Sequence, residues 1–150
     1  MTPLFKKLNF KDQERILVLN SPSEFQAHIE AMKPFAKIAS RLSVKEISFV
    51  LLFAVSQKEV NSIFAKVKDQ LVGDALLWVC FPKKSSKKYK SDINRDEGWQ
   101  EIGKSDFEPV RIVAIDADWS ALRFRKVKYI KTLKRNSKTL ISKAGRKKKS

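Results

Sequence analysis

The chain has 150 residues, with 32 Lys and Arg against 16 Asp and Glu, one Cys, one His, four Gly and a formal net charge of +16. That length builds one domain with a full core, and 43% apolar residues exclude wholesale disorder. A single Cys excludes a disulfide framework, no Cys/His cluster has zinc spacing, and the longest apolar stretch, residues 49–55, is far short of the roughly 20 residues of a membrane-spanning helix.

The start, Met-Thr-Pro-Leu-Phe-Lys-Lys, lacks the apolar run of a secretory signal, so a cytoplasmic protein with no membrane partner is expected. Residues 15–20 form a short apolar run with β-branched members, which predicts a buried strand. Ser21-Pro22-Ser23-Glu24 has the spacing of a capping box with Pro at the first helical position. Phe25, Ile29 and Met32 then repeat at helical spacing until Pro34, and residues 36–42 suit a second short strand.

Residues 46–55 are apolar on both faces, as in a central parallel strand covered by helices. Ser56-Gln57-Lys58-Glu59 repeats the capping-box spacing and opens a helix with Val60, Ile63, Phe64, Val67 and Leu71 on one stripe, closed by Gly73. Residues 75–81 predict another doubly apolar strand, ended by Pro82. A third helix is expected over residues 92–102, ending at Gly103, followed by a strand over 110–115. Asp116 and Asp118 turn the chain into residues 121–127, where Leu122 and Phe124 alternate with Arg123 and Arg125 to give one packed and one charged face. The pattern predicts a three-layer α/β, Rossmann-like domain over residues 1–130, its mostly parallel sheet ending in an antiparallel C-terminal hairpin strand.

Charge is unevenly placed. Residues 83–90 hold five lysines and no acid, residues 91–120 hold eight acids against three bases, and residues 121–150 hold 13 bases and no acid. Beyond residue 130 the large apolar side chains are few, so residues 131–150 read as a mobile basic tail. Lys134, Arg135, Lys138 and Lys143, with Arg146, Lys147, Lys148 and Lys149, would give it nonspecific contact with nucleic acid, or merely solubility.

In a sheet of this plan every strand-to-helix loop reaches one edge, where such sheets bind ligands. That edge would gather Ser21, Ser23 and Ser56 at helix starts with Lys83, Lys84, Ser85, Ser86 and Lys87, a set of donors and cations suited to a phosphate-bearing ligand. Asp92, Arg95, Trp119, Arg123 and Arg125 are accessory candidates. The competing reading gives the serines capping roles and the lysines to solvent. Asp116 and Asp118 suit a turn better than an acid–base pair, Trp119 suits packing at the sheet edge better than stacking on a base, His28 suits the surface, and Cys80 suits an inert buried position.

Pro82-Lys-Lys-Ser-Ser-Lys87, Asp92-Ile-Asn-Arg-Asp96 with Trp99, and Asp118-Trp-Ser-Ala-Leu-Arg-Phe-Arg125 together resemble a bacterial family, domain of unknown function 3052, over about residues 8–130. The resemblance implies a small bacterial domain without a settled activity. The order of elements also looks like a shortened class I methyltransferase sheet. It departs from that pattern at Asn20-Ser21-Pro22-Ser23, where those enzymes carry a Gly-rich turn for S-adenosylmethionine. The expected function is therefore an anion-binding module with no cofactor indicated, against two alternatives: a divergent methyltransferase-like enzyme and a protein-interaction module.

Overall fold

The structure, a computed structural model, describes residues 1–42, 45–94, 98–130, 141–142 and 145. A helix not anticipated from sequence opens the chain: in α1 (Pro3–Lys7) the Thr2 hydroxyl accepts the Phe5 N–H and Pro3 presets the first turn. Then β1 (Arg15–Leu19), α2 (Gln26–Met32), β2 (Lys37–Ala39), β3 (Ile47–Phe53) and α3 (Gln57–Val67) follow in the expected alternation. The second half consists of β4 (Leu71–Pro82), α4 (Gln100–Lys104), β5 (Phe107–Ala114) and β6 (Trp119–Lys126).

The strands form one six-stranded sheet in the order β2-β1-β3-β4-β6-β5. β2, β1, β3 and β4 are mutually parallel, while β6 runs antiparallel to both β4 and β5, which it separates. Alternate strand residues feed two cores. Leu17, Val50, Leu52 and Leu77 pack under α3 and α4, while Ile16, Val18, Leu51 and Trp78 pack under α1 and α2. This is the expected α/β architecture of three layers.

Four details depart from the sequence reading. Ser21 does not cap a helix. Pro22 occupies the N-cap position of a short 3-10 turn, Ser23–Phe25, that leads into α2, and proline has no side-chain acceptor to cap it; the Glu24 carboxylate bonds Tyr89 and Lys88.

Gly73 closes no helix. α3 ends at Val67, and Gly73 lies inside β4 at φ +55°. There Ile47 pairs with Leu71 but Phe49 with Leu76, so β4 carries four residues opposite Ser48 alone, and the left-handed backbone at Gly73 turns that excess aside.

The helix expected over 92–102 shrinks to α4, with Gly103 inside it; Ile93 and Trp99 spend their side chains on the core below α3. Finally, β6 has no wholly charged face: as an internal strand it buries Trp119 and Ala121 on the side that also carries Arg123 and Arg125.

Residues 131–140, 143–144 and 146–150 lie outside the described residues, and with them Lys134, Arg135, Lys138, Lys143 and Arg146 to Lys149. The described residues of this end sit on the domain. Ile141 packs against the core under α3, and Ser142 is buried against Glu108.

Candidate anion-binding site

At the carboxyl ends of the parallel strands, connections from β1 run one way along the sheet and those from β3 the other, which makes the crevice between them the expected ligand position. Asn20 ends β1 with φ +59°, a conformation that glycine adopts more readily. Its side chain is used: Nδ2 donates to the Phe53 carbonyl at the end of β3 (2.9 Å) and to the Glu59 carboxylate (3.1 Å). Glu59 in turn accepts the Val55 N–H (2.8 Å), and Ser56 Oγ accepts the Glu59 N–H (3.1 Å). Half of the predicted capping box is thus formed, and its reciprocal bond falls one residue early.

The first turn of α3 already has its anions. Asp92 accepts the Gln57 N–H through Oδ1 (2.8 Å) and receives Gln57 Nε2 on its carbonyl (2.8 Å). A carboxylate at a helix start satisfies an orphan donor and the positive end of the dipole. Asp92 therefore takes the place that the sequence reading reserved for a ligand at Ser56.

The lysine loop folds across the same rim. Ser86 Oγ donates to Asp118 (2.8 Å) and accepts the N–H groups of Lys88 and Tyr89, so it holds the turn together. Tyr89 donates its hydroxyl to Glu24 (2.9 Å), Lys88 pairs with the same carboxylate (3.1 Å), and the Tyr89 ring packs on Trp119, which meets Phe53 edge-on. Asp116 accepts the N–H groups of Asp118 and Trp119, both at 2.8 Å, which is a turn-forming role.

Ser21, Ser23, Ser56, Asp92, Trp119 and the loop with Lys83, Lys84, Ser85, Ser86 and Lys87 do share the rim. Ser56, Ser86, Asp92 and Trp119 are consumed by the protein's own contacts. Lys83, Lys84, Lys87 and Lys90 form no ion pair among the described residues. Arg95 lies outside the described residues. Arg123 and Arg125 do not belong to this rim: Trp119 pairs with Pro82 there, whereas Arg123 pairs with Trp78, four residues down β4.

Burial raises the Glu24 carboxyl, but the Tyr89 hydroxyl and the Lys88 ammonium outweigh it and hold the group below its usual value of 4.5. A depressed carboxyl adds stability above its unfolded pKa and loses it as pH falls through the folded one. The difference in thermal midpoint between the native protein and Glu24→Gln is therefore expected to shrink as pH drops below 4.5. A difference that stays constant down to about pH 3 would count against the contact.

Beside Asn20 the sequence reading missed a pocket of 460 Å³, floored by Leu19, Leu42 and Ile63 and walled by Lys58, Glu59, Ser62 and Lys66 of α3. Lys58, Ser62 and Lys66 recur every four residues along α3, so they share one face of it. That spacing was visible in the sequence, although only the apolar stripe of the helix was used.

No family model matches the chain, and no curated relative matches it. Solved structures share the fold. The pyocyanin biosynthetic protein PhzM superposes with a TM-score of 0.53 at 10% identity, over 81% of this chain and 52% of that one. The chain thus spans about half the length of PhzM. The N-methyltransferase NodS from Bradyrhizobium japonicum WM9 has a TM-score of 0.46 at 10% identity, covering 75% and 85% of the two chains. A protein in the NADB-Rossmann superfamily from Streptococcus agalactiae has a TM-score of 0.44 at 12% identity, covering 84% and 68%. The likeness to PhzM shows the fold, a Rossmann-like α/β sheet, and nothing about chemistry.

A nucleotide-type cofactor on such a sheet needs close backbone approach after the first strand. Here Asn20, Ser21 and Pro22 occupy that turn, and the Asn20 side chain is tied across the crevice to Phe53 and Glu59. The residues present do not fit S-adenosylmethionine in that crevice.

Proposed function

We propose that the domain is a non-enzymatic binding module that takes a small phosphate-bearing molecule at the carboxyl edge of the sheet. The observation carrying this reading is the pocket beside Asn20, whose apolar floor suits a ring and whose wall places Ser62 between two ammonium groups, Lys58 and Lys66. Exposed Lys84 and Lys87, with Lys83, add nonspecific attraction for nucleic acid, and so do Lys134, Arg135, Lys138, Lys143, Arg146, Lys147, Lys148 and Lys149. This reading places the protein in the cytoplasm, where nucleotides and nucleic acid are among the available anions. No described helix is long and apolar enough to cross a membrane.

The test is calorimetric titration with adenosine monophosphate, adenosine and S-adenosylmethionine. Adenosine monophosphate is expected to bind, and Lys58→Ala with Lys66→Ala to weaken it roughly tenfold to a hundredfold through lost charged contacts. Adenosine should bind weakly and equally to both proteins. Binding of S-adenosylmethionine alone would overturn the reading in favour of a transferase.

A further inference from the structure

A second cationic feature lies away from the rim and from the pocket. Arg111 of β5 and Arg123 of β6 are direct cross-strand partners, and Arg125 follows two residues on, so all three share the face that carries α1 and α2. Like charges directly opposite one another on a sheet are unfavourable. Among the described residues one carboxylate, Asp74 from the bulge of β4, forms ion pairs here. It is spent on Arg125, which grips it with two arms: Nε to Oδ1 at 2.9 Å and Nη2 to Oδ2 at 2.6 Å.

Arg123 receives little. Its Nη2 stays 3.8 Å from Asp74, its side chain is only 13% exposed, and its Nε–H is buried without an acceptor among the described residues. Arg111 is exposed and makes one long bond, Nη1 to Asn9 Oδ1 at 3.4 Å. Burial lowers the Arg123 pKa, Asp74 opposes this, and the neighbouring Arg125 and Arg111 add to it. Three guanidinium groups with one carboxylate make a cluster with surplus positive charge and surplus donors, largely buried at Arg123 and open to solvent at Arg111.

We propose that Arg111, Arg123 and Arg125 form an oxyanion site that takes a phosphate group. Planar guanidinium forks match the oxygens of phosphate, and an added anion would supply acceptors and offset the repulsion between Arg111 and Arg123. Asp74 fixes the Arg125 fork, while Arg123 and Arg111 keep donors to spare. The group is either free phosphate or the phosphodiester of a nucleic acid, since both present the same oxygens.

Titrating inorganic phosphate into the full chain, with chloride matched for ionic strength, and following the arginine Nε–Hε resonances tests the site. Saturable shifts at Arg111 and Arg123 are expected. Arg111→Ala, an exposed change that should leave folding intact, is expected to weaken phosphate about tenfold. Lys58→Ala with Lys66→Ala should leave these shifts unchanged, which separates this site from the pocket. Competition by a short oligothymidylate that also depends on Arg111 would identify the phosphodiester as the source; no competition would identify free phosphate. Shifts that follow chloride equally, or unchanged affinity in Arg111→Ala, would overturn the proposal.

Discussion

Replacing Trp78 by alanine is expected to cost about 4 kcal/mol of folding stability, a large fraction of what holds a domain of this size together. Trp78 is fully buried in the middle of β4, with Leu51 of β3 on one side and Arg123 of β6 on the other. It also ties two layers together: its indole N–H donates to the Leu8 carbonyl at 3.0 Å, just beyond α1. Alanine leaves a large cavity and removes that donor at once. Trp78→Phe separates the terms, because it keeps most of the apolar area and leaves only the Leu8 carbonyl without this partner, for about 1–3 kcal/mol. Denaturant unfolding with an unchanged slope measures both. A loss below about 1.5 kcal/mol for alanine would show that the core refills the space and that α1 docks without the indole.

The second large effect is expected at Glu108. This fully buried carboxylate accepts the Ile141 N–H (2.8 Å to Oε2), the Ser142 N–H (2.6 Å) and the Ser142 hydroxyl (2.7 Å), and Ser142 Oγ accepts the Gly145 N–H (2.8 Å). A buried carboxylate is tolerable only with such a set of donors. Glu108→Ala strands them and is expected to cost about 3 kcal/mol. In hydrogen exchange the Ile141 and Ser142 amides should lose protection. Gly103→Ala should produce the same loss from the other side, since a Cβ there would collide with the Ile141 carbonyl oxygen. Protection that survives both changes would show that the segment is not held this way.

The strands were legible because doubly apolar runs such as residues 47–53 and 75–81 have few other uses, and the stripe of Val60, Phe64 and Val67 announced α3. Several of the errors share a cause, in that a local signal was outbid by a distant partner. Glu24 left its capping position for Tyr89, 65 residues away, and Asp92 left its expected helix to cap α3, 35 residues back. Glu108 and Ser142 lie 34 residues apart, and nothing in their local patterns pairs them. The rim itself could be derived from the order of elements, but the side chains that fill it could not, because capping preference says nothing of competing acceptors. Lys58 and Lys66 were missed for a different reason: a polar helix face reads as solvated until the fold sets Leu19 and Leu42 beside it.

The insertion of β6 between β4 and β5 governs how the polypeptide must assemble. Until residues 119–126 arrive, β5 has no neighbour to join and the long apolar margin of β4 stands open as a template for intermolecular strand pairing. Stability here is conferred late, by a keystone strand, and N-terminal fragments that stop short of it should self-associate rather than fold. A newly made chain is thus most exposed to aggregation, and most in need of a chaperone, in the interval before that strand is seated.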